Sequence, residues 1–180
     1  ADIVANGGTI LFVGTKKQVK DITCEAAESV NQPFVTERWV GGMLTNSSTV
    51  NQQIKKLKNL EKRMSTGELE KRYSKLEVQR YAEEIEEMNV KYGGIKDLMG
   101  KPGILFVTDA IADANAIREA KTLNIPVVAI VDTNVNPEGI DYVIPANDDA
   151  IKGVKLLLDY VVAAVLEGAA DKKEEATTKK

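Results

Sequence analysis

Short apolar runs that end in turns alternate along this chain with helix-patterned segments, and that alternation limits the fold more than any other feature. Thr9-Ile10-Leu11-Phe12-Val13 closes on Gly14. Lys101-Pro102-Gly103 opens Ile104-Leu105-Phe106-Val107, with Asp109 just beyond. Pro126-Val127-Val128-Ala129-Ile130-Val131 ends at Asp132, while Pro33-Phe34-Val35 and Tyr142-Val143-Ile144 are shorter. Runs this short and continuously apolar read as strands buried on both faces of a parallel sheet. From Lys16 to about Val30 the apolar residues Val19, Ile22, Ala26 and Val30 carry helical spacing. A second helix is predicted from about Asp113 to Leu123. Asn147-Asp148-Asp149 suits a helix N-terminus, where short polar side chains cap free amides and carboxylates meet the positive helix end. The helix predicted from there runs to about Glu167. The whole pattern predicts an α/β fold: a doubly wound parallel sheet with helices on both faces.

Between about Thr49 and Tyr92 the alternation stops. Val50, Ile54, Leu57 and Met64 fall near a heptad seam, and Val78, Tyr81, Ile85, Met88 and Tyr92 step by three and four. Two such stripes predict an inserted antiparallel helical hairpin of coiled-coil type, bending near Ser65-Thr66-Gly67. Gly93-Gly94 returns the chain to the sheet. The division expected is 1–48 and 93–167 for the two parts of the α/β domain, 49–92 for the hairpin and 168–180 for a disordered charged tail. The chain begins at Ala1, directly upstream of a strand, and a preceding N-terminal segment is expected.

Composition removes several function classes. There is no histidine, so His-based triads, His general bases and His metal ligands are excluded. The single cysteine, Cys24, forms no internal disulfide and has no histidine to activate it. Aromatic residues make up 5%, too few for a broad base-stacking surface. No apolar run reaches the roughly 18 residues that span a bilayer. The net charge of −3 argues against nucleic-acid binding only when the chain is read as a whole. Asn51 to Lys75 carries +5, whereas Lys101 to Ala150 carries −5. One end suits phosphate while the other favours solubility.

Candidate binding residues follow from that asymmetry. Gly14-Thr15-Lys16-Lys17 lies at a strand-to-helix turn and suits a phosphate, although the second glycine and GK[ST] spacing of a P-loop are absent. The plain alternative is a turn with solvated lysines. Arg38-Trp39-Val40-Gly41-Gly42-Met43-Leu44-Thr45-Asn46 places the only tryptophan beside an arginine and a Gly-Gly pair. Trp39 reads as a buried anchor, and Arg38, Thr45 and Asn46 as RNA contacts. Lys55, Lys56, Lys58, Lys62 and Arg63 line the first hairpin arm and favour phosphate contact over a merely solvated face. Asp109, Asp132, Asp148 and Asp149 sit at strand ends, where open sheets bind ligands and carboxylates hold Mg²⁺; capping and turn formation is the favoured reading. The rival function is a phosphate- or nucleotide-binding α/β enzyme using Lys16, Lys17, Asp109 and Asp132. A protein-interaction scaffold is a further alternative.

Five stretches resemble one family in order. They are Ile10 to Gln18, Arg38 to Asn46, Gly93-Gly94-Ile95-Lys96-Asp97, Ile125 to Asn134, and Asp141 to Ala150. The resemblance, from about Ile3 to Glu167, is to the bacterial form of the small ribosomal subunit protein two family. It implies a flavodoxin-like sheet with an inserted coiled-coil hairpin and no catalytic activity; no cofactor is expected, and any metal site in the family's N-terminal segment is missing here. It implies a cytoplasmic structural protein that binds small-subunit rRNA on the solvent side near the head–body junction, during assembly and translation. Neighbouring small-subunit proteins, including the large, mobile first protein of the subunit, are the implied partners. Two features depart from the family. Its usual N-terminal segment with a His-Phe-Gly-His-like motif is missing, and the loop Ala110 to Ala114, variable in the family, is assigned no role. The hairpin tip has few aromatic residues, so its contacts are expected to be phosphate-led, positioning the protein by shape.

Overall fold

The computed structural model describes residues 1–178; Lys179 and Lys180 lie outside the described residues. Five strands form one parallel sheet: β1 (Ile10–Val13), β2 (Phe34–Val35), β3 (Ile104–Val107), β4 (Val127–Val131) and β5 (Tyr142–Pro145). Their order is β2-β1-β3-β4-β5, the flavodoxin-like arrangement, whose crevice opens between β1 and β3. Side-chain alternation divides the core. Leu11, Val13, Leu105, Val107, Val127 and Ala129 face one layer of helices, while Phe12, Phe106 and Ile130 face the other. Because both faces are covered, β1 is apolar at every position.

The first layer consists of α6 (Ala114–Thr122) and the start of α3 (Ser47–Ser65), joined by Trp39, Met43, Leu44 and Ile95. The second consists of α2 (Lys20–Ser29), α7 (Ile151–Thr178) and α1 (Asp2–Ala5), a short helix with no counterpart in the sequence pattern. α7 continues past Gly168, where the composition points to a disordered tail. Ala169-Ala170-Asp171-Lys172 contains good helix formers and no proline. Gly168 also lies against Ala1, where a Cβ would stand 2.3 Å from the Ala1 carbonyl oxygen.

Between β2 and β3 the chain forms three α-helices where the stripes predict two arms and a bend. α3 ends at Ser65, Gly67 takes a left-handed φ of 67°, and a short α4 (Glu68–Arg72) buries Leu69 completely. α5 (Lys75–Tyr92) then starts at Ser74, whose hydroxyl accepts from the Glu77 amide while the Glu77 carboxylate accepts from the Ser74 amide. Leu57, Leu60 and Met88 are buried between α3 and α5, with Tyr81, Ile85 and Tyr92 packed around them. Leu60 therefore occupies the buried seam, and Met64 is only half-buried.

The Gly93-Ile95 turn explains its own sequence. A Cβ on Gly94 would lie 2.3 Å from the Phe34 carbonyl oxygen, so this backbone passes directly against β2. Lys96 Nζ then donates to Glu61 at 2.6 Å, and Asp97 accepts from Lys58 at 2.9 Å. The turn thereby ties α3 to the sheet.

Candidate nucleic-acid interface

The Arg38–Asn46 loop leaves the carboxyl end of β2 and feeds α3. Trp39, Met43 and Leu44 turn inward and are buried in the first core layer. Gly42 sits at φ 85°, a conformation that favours glycine, and the chain closes there through Met43 N–H to Val40 O and Asn46 N–H to Gly42 O. One carboxylate from α6 holds the rest. Glu119 accepts from Trp39 Nε1 at 3.0 Å, from the amides of Gly42 (2.8 Å), Leu44 (3.0 Å) and Thr45 (3.1 Å), and from the Thr45 hydroxyl at 3.1 Å. Burial alone would raise the pKa of Glu119, but these donors outweigh it and hold the carboxyl below its usual range. Sequence reasoning does not find Glu119, which in isolation looks like any acidic residue of an amphipathic helix.

With the loop anchored from inside, Arg38 and Asn46 are exposed, and Thr45, also exposed, turns its hydroxyl onto Glu119. Arg38 is exposed and has no hydrogen-bonding or ionic partner among the described residues. Asn46 precedes α3 and accepts from the hydroxyls of Ser48 and Thr49. Along α3 the outward face continues as Asn51, Lys55, Lys58 and Lys62, spaced four, three and four apart and all exposed. Lys55 and Lys62 have no such partner among the described residues, and neither has Lys17 beyond β1. Lys58 pairs with exposed Asp97, an interaction worth roughly 0–1 kcal/mol and easily exchanged for phosphate. Lys56 and Arg63 lie away from this stripe. Lys56 pairs with Glu84 on α5, and Arg63 with Glu68, over the Tyr73 ring at 6.0 Å. The partner helix α5 exposes Glu77, Glu83, Glu86 and Glu87 beside Lys75, Arg80 and Lys91, so it is net acidic where α3 is net basic.

Lys16 is engaged differently from its neighbour Lys17. Its Nζ lies 3.1 Å from Asp109, 2.9 Å from Asp148 and 2.7 Å from Asp149, and its side chain is 19% exposed. Burial works against the charged form, but the three carboxylates outweigh it and raise the Lys16 pKa. Asp109 also accepts from the amides of Ile111 and Ala112, and Asp132 accepts from the Thr133 amide. A phosphate entering the crevice between β1 and β3 would meet carboxylates, not an available lysine. The nucleotide-site alternative finds no support in this geometry.

Asp113 completes the crevice. It precedes α6, yet its carboxylate accepts from the amide and hydroxyl of Thr15, at 3.2 and 2.8 Å. Burial pushes its pKa up to about 6, against the hydrogen bonds from Thr15 and with help from the nearby Asp109 charge. The folded chain therefore keeps a proton that the unfolded chain releases at lower pH, and the contribution of Asp113 to stability falls as pH rises toward about 6. Asp113→Asn is expected to flatten that slope and to add about 1–2 kcal/mol near neutral pH. Urea unfolding of parent and variant at about pH 4 and about pH 7 checks this. An advantage of the variant over the parent that does not grow between those two pH values contradicts it.

The chain is a parallel α/β domain with an exposed lysine stripe on α3 and strand-end carboxylates turned onto its own Lys16. The profile of the family described as Ribosomal protein S2 matches residues 1–168. A relative, small ribosomal subunit protein uS2 of Maridesulfovibrio salexigens, is 45% identical over 175 residues, covering 97% of this chain and 67% of the relative. The chain belongs to the ribosomal protein S2 family, a structural and non-enzymatic family.

Proposed function

We propose that this chain is a structural constituent of the small ribosomal subunit that grips folded rRNA by its phosphates. The observation that carries the reading is the exposure of Arg38 and Thr45-Asn46 on the loop that leads into α3 and of Asn51, Lys55, Lys58 and Lys62 along it. Lys17, Arg38, Lys55 and Lys62 meet phosphate without breaking an internal ion pair, and Lys58 gives up only an exposed one. Lys16 and Arg63 serve mainly to hold the fold around that face, while Lys56, like Lys58, has only an exposed pair to give up. Contacts of this kind position a protein on RNA without reading sequence.

The α3–α5 pair is proposed as the family's coiled-coil arm, with the lysine stripe of α3 toward RNA. Adjacent small-subunit proteins, the large first protein among them, are the proposed protein partners, in a bacterial cytoplasmic ribosome. Among the described residues no helix is long and apolar enough to cross a membrane.

Each neutralised phosphate releases counterions, so affinity for small-subunit rRNA should fall steeply with salt. Lys55→Ala with Lys62→Ala is expected to reduce the slope of log affinity against log salt by about 0.7–0.9 for each phosphate no longer neutralised. Filter binding over a salt series measures this. An unchanged slope would show that these lysines face water in the complex.

A further inference from the structure

The loop at the head of the basic face owes its shape to a residue far along the chain. Five donors, three of them backbone amides, converge on the Glu119 carboxylate. A carboxylate offers about four lone-pair sites and no donor, which suits such a ring of N–H and O–H groups. An amide in its place would turn an NH₂ toward some of those donors.

We propose that Glu119 is a positioning residue for the nucleic-acid interface, presetting the Arg38–Asn46 loop so that Arg38 and the start of α3 meet one ligand together. The proposal rests on the rRNA reading of this face. Glu119 is negative and half-buried, so it acts through the loop and touches no phosphate itself. Its bond to the Trp39 indole fixes the residue next to Arg38, and its bonds to Leu44 and Thr45 fix the approach to α3. A loop already ordered in the free protein spares the ordering cost that binding would otherwise carry.

The test uses the full chain with Glu119→Gln, Arg38→Ala and the two combined, binding small-subunit rRNA over a salt series. Glu119→Gln is expected to weaken binding about tenfold, equivalent to the ordering of one or two side chains, with an unchanged salt slope. Arg38→Ala should cost clearly less affinity in the Glu119→Gln background than alone, because the arginine is then no longer held in place. The amides of Gly42, Leu44 and Thr45 should lose exchange protection while those of β3 and β4 keep theirs, and Trp39 emission should shift to the red. Equal costs of Arg38→Ala in the two backgrounds overturn the proposal, as does full loop protection in Glu119→Gln. Should Glu119→Gln fail to fold, Trp39→Phe removes a single donor and is expected to give a smaller weakening at unchanged slope; no weakening overturns the proposal. A parent chain that does not bind rRNA overturns the rRNA reading and the positioning role with it. Loop protection lost in Glu119→Gln would then still show that the carboxylate orders the loop.

Discussion

Lys16→Met should destabilise the chain by about 3–5 kcal/mol, the loss expected when one partner of a buried ion cluster is removed. Asp109 and Asp148 have side chains only 7% and 5% exposed, and Asp149 lies on the same ammonium. Without Lys16, two buried carboxylates and a third nearby face one another with no counter-charge. The methionine restores much of the side-chain volume, so the loss is electrostatic. Urea unfolding at neutral pH measures it, and combining Lys16→Met with Asp148→Asn should recover part of it. The same variant separates the two views of the strand-end lysine. If Lys16 serves the fold, the salt slope of rRNA binding at temperatures where the variant is folded stays at the parent value. A cost below about 1 kcal/mol would mean that the cluster is held more loosely than its distances imply.

Phe106→Ala should cost a similar 3–5 kcal/mol, roughly, for an unrelated reason. Phe106 is 2% exposed on the central strand β3 and packs its ring against Phe12, with centroids 5.6 Å apart. Truncation loses the transfer energy of the ring and leaves a cavity between the sheet and the layer of α2 and α7. In a chain of this size the melting temperature should fall by roughly 6–20 °C. Leu156→Ala on the exposed face of α7 is the control, with a change within about 0.5 kcal/mol. Comparable losses at both positions would contradict the assignment of the core.

The parallel sheet was legible in the sequence because burial on both faces leaves continuous apolar runs, and β1, β3 and β4 each carry one. The short edge strand β2 is signalled by Pro33-Phe34-Val35 and covers only Phe34–Val35. α4 is not signalled, since five residues cannot display a helical period. The Ser74–Glu77 capping box stands in the sequence and marks the true start of α5. α1 is too short to announce itself, and it depends on packing against α7.

The lysine stripe of α3, proposed as the binding face, was legible as charge, because lysines spaced by three and four on one helix share a side whatever the tertiary structure. The difference between Lys16 and Lys17 was not legible. A lysine after a strand reads the same whether phosphate or carboxylates face it, and Asp148 and Asp149 arrive there only through the fold of β5. Glu119 was hidden for the same reason: its partners lie far earlier in the chain and meet it only when α6 packs beneath the loop.

The most direct test of the central claim is sedimentation of the tagged full chain, expressed in bacteria, through sucrose gradients at high and low magnesium. The chain is expected to travel with intact ribosomes at high magnesium and with the small subunit once the subunits part. Its recovery as free protein at the top of both gradients would contradict that claim.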